Sequence, residues 1–206
     1  IDTNEVAKAK KIIRDTQSNK IKVGYKFGLE FFYSKDGRKF LSNLKNQTTF
    51  LDLKLNDIPN TVSAAVKSLK NLKITYLTAH LSSGLNALRL LKKESKKIKI
   101  AGVTTLTSLN DKDLREIGYN KNVKDLVVHQ AKLAKKAKLD AIVCSGHEVK
   151  SVRRVFNKEI ITPGIKMQNK KNDQKRIMRP SEAFAAGSDW LVIGRSITNG
   201  NIKKNI

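Results

Sequence analysis

The chain has 206 residues, 39% of them hydrophobic, which is enough to enclose one core and reads as a single domain over residues 1–206. No apolar run approaches the roughly 20 residues of a membrane-spanning helix, and the single cysteine, Cys144, excludes an internal disulfide and fits a reducing, cytoplasmic setting. Forty-two Lys and Arg against 18 Asp and Glu give a net charge of +24, which raises the question of nucleic acid. There is no zinc-finger, homeodomain or aromatic-basic strand pattern, and lysines such as Lys8, Lys10, Lys11, Lys132, Lys135, Lys136 and Lys138 fall on predicted helix faces. Solvated lysines that draw in a phosphorylated small molecule fit better, so neither nucleic acid nor membrane is expected as a partner.

In chain order, short apolar runs alternate with longer amphipathic ones. Ile1-Asp2 reads as the tail of a strand, and the start at Ile1 rather than Met predicts that further sequence precedes it. Thr3 is placed to cap a helix running to about Asp15. Strand-like runs follow at residues 21–27, 48–53, 74–80, 98–105, 140–144, 160–162 and 190–193. Helical patterns occupy residues 37–44, 61–70, 84–93, 123–138, 147–156 and 181–186, and the tail at 197–206 leaves room for a short last helix. Counting the remnant at Ile1-Asp2, these make about eight βα units, the pattern of a (β/α)8 TIM barrel with a truncated first strand and last helix. A doubly wound open sheet is the competing architecture.

The third strand stands apart. In Phe50-Leu51-Asp52-Leu53-Lys54-Leu55-Asn56-Asp57-Ile58-Pro59-Asn60-Thr61, alternation puts Leu51, Leu53 and Leu55 on one face and Asp52 with Lys54 on the other. Asp57 follows just past the strand end. Charges inside a buried strand are costly unless paired, and in a barrel the C-terminal strand ends form the active face. Lys26, Asp52, Lys54, Asp57, His80, Thr104, Thr105, Thr107, Ser108, Gly194 and Arg195 all fall at such ends. A lysine among carboxylates is held as the ammonium, a proton donor rather than a nucleophile, which suits a reaction whose carbanion needs a proton. A structural ion-pair network is the competing reading.

The remaining candidates are weaker. A packed histidine at a strand end is the simpler reading of His80, and His129 and His147 fall in helical patterns on the surface. No zinc spacing, Gly-x-Gly-x-x-Gly, Walker loop or Ser-His-Asp signature occurs. The aperiodic, lysine-rich stretch at 163–179 joins the seventh strand to the seventh helix, where barrels commonly bind phosphate; a solvated surface loop accounts for its composition equally well.

Over nearly its full length the chain resembles the orotidine 5′-phosphate decarboxylases, in their bacterial form. The resemblance rests on Asp52-Leu53-Lys54-Leu55-Asn56-Asp57-Ile58-Pro59-Asn60-Thr61, supported by Tyr25-Lys26-Phe27-Gly28-Leu29-Glu30, Val103-Thr104-Thr105-Leu106-Thr107-Ser108, Thr162-Pro163-Gly164-Ile165, Asp173-Gln174-Lys175-Arg176 and Val192-Ile193-Gly194-Arg195. Asp-x-Lys alone is shared with related sugar-phosphate decarboxylases; the Asp-Ile-Pro-Asn-Thr continuation and the Asp-Gln-Lys-Arg segment separate them.

The resemblance implies conversion of orotidine 5′-phosphate to uridine 5′-phosphate and CO2, the last step of pyrimidine synthesis, with no metal or organic cofactor. It makes Lys54 the proton donor, Asp52 its orienting neighbour beside the departing carboxylate, and Asp57 the third charge, contributed across a homodimer with shared active sites together with Ile58 and Thr61. It assigns the ribose hydroxyls to Asp2 and Lys26, the base to Thr107, and the phosphate to Gln174, Gly194 and Arg195 beneath the 163–179 loop. Lys166 stands where family members carry an arginine, which keeps the charge but loses the planar fork. The rival readings are a metal-dependent sugar-phosphate decarboxylase of the same superfamily and a non-catalytic, basic nucleic-acid-binding protein.

Overall fold

Seven short apolar runs pair in parallel, and they do so in the order in which the chain makes them. The computed structural model describes residues 1–166 and 178–206. Its strands are β1 (Gly24–Phe27), β2 (Thr48–Leu55), β3 (Tyr76–His80), β4 (Lys99–Val103), β5 (Ala141–Val143), β6 (Glu159–Thr162) and β7 (Trp190–Leu191), in one sheet of order β1-β2-β3-β4-β5-β6-β7. A doubly wound sheet reverses its strand order at a switch point; this sheet never does. Among the described residues there are seven strands and not eight, because Ile1 and Asp2 form no ladder.

Period-two alternation sorts the strand residues into two apolar layers. Leu51, Leu77, Ile100, Ile142 and Ile160 join the main core, shared with the helices. Their neighbours Phe50, Tyr76, Ala101, Ala141 and Ile161 form a second, smaller cluster on the opposite face. Across that inner face Tyr76 of β3 meets Trp190 of β7 edge-on, with ring centroids 6.2 Å apart. Three strands separate β3 from β7 in the sheet. Their side chains touch only because the sheet curls on itself.

The helices cover the outside. They are α1 (Val6–Asp15), α2 (Leu29–Phe32), α3 (Gly37–Asn43), α4 (Pro59–Ser68), α5 (Gly84–Ser95), α6 (Asp111–Glu116), α7 (Val123–Lys136), α8 (Val149–Arg153), α9 (Pro180–Ala186), α10 (Arg195–Thr198) and α11 (Ile202–Asn205). Ala9, Ile12 and Ile13 of α1 and Leu126, Val127, Ala131 and Ala134 of α7 turn inward, while the lysines between them are exposed. Several boundaries differ from the sequence reading. The α1 cap is Glu5, and Thr3 instead accepts the Glu5 N–H through Oγ1 at 3.2 Å. Helix α6 was missed, although Asn110 and Asp113 make a capping box: Asn110 Oδ1 accepts the N–H of Asp113, and Asp113 Oδ2 that of Asn110. His147 lies in a turn ahead of α8, exposed.

The N-terminal ends of the strands are closed by ion pairs. Asp140 Oδ2 accepts from Ile100 N at 2.8 Å and Lys92 Nζ at 2.7 Å. Asp189 Oδ2 accepts likewise from Ile160 N at 2.7 Å and Arg153 at 2.6 Å. Each aspartate precedes a strand and satisfies the N–H of the second residue of the neighbouring strand, so this face holds the sheet's register. The face opposite is free for chemistry.

Candidate active site

At the C-terminal ends of β1, β2 and β3, one carboxylate gathers two ammonium groups. Asp52 Oδ2 lies 3.1 Å from Lys26 Nζ and 2.9 Å from Lys54 Nζ. Asp52 Oδ1 accepts the hydroxyl of Thr78 at 3.0 Å. Asp52 is 8% exposed, whereas the Lys54 side chain retains 35% of its surface. Burial pushes the Asp52 carboxyl up; Lys26 foremost, then Lys54, more than reverse that and hold it below the usual carboxylate range. His80, half-buried at the end of β3, is depressed by burial and then by the Lys54 charge, which leaves its imidazole neutral near pH 7.

Strict alternation does not by itself bring Asp52 and Lys54 together. Leu51 pairs with Leu77 and Leu55 with Ala79, so three residues of β2 lie opposite Thr78 alone. The surplus is taken up in a bulge, with Lys54 in the left-handed region at φ 50°. Lys54 N donates to Thr78 Oγ1 at 2.8 Å instead of to a ladder carbonyl. Leu53 and Leu55, beyond the regular part of the strand, are half-buried rather than core residues.

Most of the other expected residues lie in the turns and helix starts that follow the strands. Asp57 is exposed, and its Oδ1 accepts the Ile58 N–H at 2.7 Å; it joins no ion pair with Lys26 or Lys54 of its own chain. Ile58, 66% exposed, caps α4, and Thr61 lies exposed in its first turn. Ile1 N donates to the Lys26 carbonyl at 2.7 Å, and an Asp2 Oδ2 lies 3.8 Å from where a Cβ on Gly194 would sit. Gly194 and Arg195, both exposed, open α10. Thr107 is exposed in the turn after β4. Lys166 is half-exposed, and its N–H donates to the Met178 carbonyl at 3.2 Å. Gln174 lies outside the described residues. Among the described residues, no three His, Cys, Asp or Glu side chains are grouped to hold a metal ion.

Three polar contacts escaped the sequence reading. Thr78, fully buried, links Asp52 to Lys54. Asn56 Oδ1 accepts from Ser83 Oγ at 2.9 Å and ties the turn after β2 to the segment after β3. Gln130 of α7, buried, accepts from Thr105 N at 2.8 Å and anchors the turn after β4. Only Thr78 had a sequence signal, a hydroxyl inside an apolar strand next to the charged one.

The sequence and the fold are similar to those of known proteins. Residues 1–204 match the model of the orotidine 5′-phosphate decarboxylase / HUMPS family. An orotidine 5′-phosphate decarboxylase of Wolbachia pipientis subsp. Culex pipiens is 46% identical over 187 residues, covering 87% of this chain and 82% of that protein. That of Carboxydothermus hydrogenoformans is 39% identical over 210 residues, 96% of this chain and 86% of that protein. Among solved structures, orotidine 5′-phosphate decarboxylase from Lactobacillus acidophilus superposes with a TM-score of 0.86 at 30% identity, over 100% of this chain and 92% of that one. The Methanocaldococcus jannaschii enzyme complexed with inhibitor BMP shares the fold, with a TM-score of 0.79 at 20% identity over 100% of this chain and 92% of that one. By sequence along nearly its whole length, and by the sheet that carries its charged cluster, the chain belongs to the orotidine 5′-phosphate decarboxylase / HUMPS family.

Proposed function

We propose that this protein removes CO2 from orotidine 5′-phosphate to give uridine 5′-phosphate, in pyrimidine biosynthesis in the cytoplasm, using no metal or organic cofactor. The observation that carries the reading is the pair of ammonium groups on one buried carboxylate, at the end of a sheet where such folds do chemistry. Breaking the bond to the carboxyl carbon leaves an electron pair on the pyrimidine ring. The Lys54 ammonium stabilises that charge and delivers its proton to the same carbon, while CO2 departs. Asp52 holds and aims Lys54 through the hydrogen bond at 2.9 Å. Remote phosphate binding supplies energy that can be used at the reacting carbon.

Around this centre, Asp2 and Lys26 take the ribose hydroxyls and Thr107 the base. Gln174, Gly194 and Arg195 take the phosphate, with Lys166 at the loop stem; an arginine suits a dianion through two parallel hydrogen bonds. Asp57 of a second copy, together with Ile58 and Thr61, completes the site across a homodimer. The exposure of all three in the single chain supports that arrangement. The barrel is a (β/α)8 one in which Ile1 and Asp2 occupy the closing position, a reading supported by the Ile1 N–H bond to the Lys26 carbonyl of β1 and by the approach of Asp2 to Gly194 after β7. Lys54→Ala should abolish decarboxylation while circular dichroism stays unchanged. Substantial retained turnover would remove Lys54 as the proton donor.

A further inference from the structure

The bulge in β2 leaves Lys54 in a strained conformation, and one side chain opposite it accounts for how the strain is held. A lysine at φ 50° is strained relative to ordinary strand geometry. It also removes the Lys54 N–H from the ladder. Thr78 answers both with a single hydroxyl, fully buried on the next strand. The Lys54 N–H can only donate, so Thr78 Oγ1 must accept it at 2.8 Å; the hydroxyl proton then goes to Asp52 Oδ1 at 3.0 Å. With Oδ1 occupied, Oδ2 receives both ammonium groups. One hydroxyl therefore locks the backbone that carries Lys54 and the carboxylate that aims it.

We propose that Thr78 is a positioning residue of the decarboxylation site, fixing Lys54 and Asp52 relative to each other through these two hydrogen bonds. The inference rests on the reading of Lys54 as proton donor. It predicts a residue whose loss weakens the chemical step more than substrate binding, since Thr78 is buried behind the charged groups. The charged groups that face Asp52 are Lys26 from β1 and Lys54 from β2, and the titratable group beside them is the neutral imidazole of His80 from β3. Without the Thr78 donor, two ammonium groups remain and Asp52 stays ionised near neutrality, but its proton affinity rises.

The test compares Thr78→Val, which keeps the shape and removes the hydroxyl, with Thr78→Ser, which keeps the hydroxyl. Thr78→Val should lower kcat roughly ten- to a hundredfold, the range for deleting a hydrogen bond to a charged group, with KM nearly unchanged. The acid limb of its kcat–pH profile should move to higher pH, and Thr78→Ser should restore both. In parallel, carbon NMR of aspartate-labelled protein should show Asp52 titrating at higher pH in Thr78→Val than in the wild type. Wild-type kcat and an unmoved Asp52 titration in Thr78→Val would overturn the proposal, and so would failure of Thr78→Ser to rescue. If the wild type itself does not turn over orotidine 5′-phosphate, the functional reading fails separately, and the NMR titration still decides whether Thr78 sets the Asp52–Lys54 arrangement.

Discussion

Asp52 is held as an anion by two lysines, and that has a consequence for pH. Its carboxyl lies below its ordinary value in the folded protein, while in the unfolded chain it titrates near 3.9. The unfolded state therefore binds the proton more readily. The stabilisation is fully present above about pH 4 and is lost as pH falls through the lower, folded value. Asp52→Asn should lower stability by about 2 kcal/mol at pH 7, because two lysines lose their counter-charge, and the deficit should shrink below about pH 4. Guanidinium unfolding of both proteins across pH 3–7 measures this; a deficit that does not change with pH would show that Asp52 contributes packing rather than charge.

At the scale of elements, the decisive feature is the irregularity of β2. Periodicity located Asp52 and Lys54 on one strand and put them at its active end, because side-chain alternation is a local property of the chain. It could not register the bulge, which depends on how Leu51 and Leu55 pair with Leu77 and Ala79 of another strand. For the same reason Thr78, Gln130 and Asn56 were not legible as site residues: their partners lie 24 to 27 positions away in sequence. Helix α6 was missed for a different reason, since only Leu114 of its six residues is buried and no apolar stripe marks it. Parallel strands with helical crossovers, by contrast, followed from the alternation of strand and helix patterns, which left the strand order itself to the structure. The bulge carries its own prediction. Glycine accepts a left-handed φ that alanine resists, so Lys54→Gly should be about 1 kcal/mol more stable than Lys54→Ala to denaturant, though both are inactive. Equal stability would argue against a left-handed residue 54.

At the scale of the whole molecule, the net charge of +24 is spread over lysines on helix exteriors and in the turns and loops between elements, where it would favour encounter with a phosphorylated substrate without shaping the fold. On the proposed reading, a second copy would complete the site through the exposed Asp57, Ile58 and Thr61. If sites are shared, mixing inactive Lys54→Ala and Asp57→Ala chains gives hybrid dimers with one fully native site, and random mixing should recover about a quarter of wild-type activity. No recovery on mixing, with dimers present, would mean that each site draws Asp57 from its own chain. The central claim is tested most directly by following the absorbance of orotidine 5′-phosphate with the purified wild-type protein in excess chelator. The account predicts full conversion to uridine 5′-phosphate at an undiminished rate. Absence of conversion by folded protein, or conversion only after a divalent metal is restored, would contradict it.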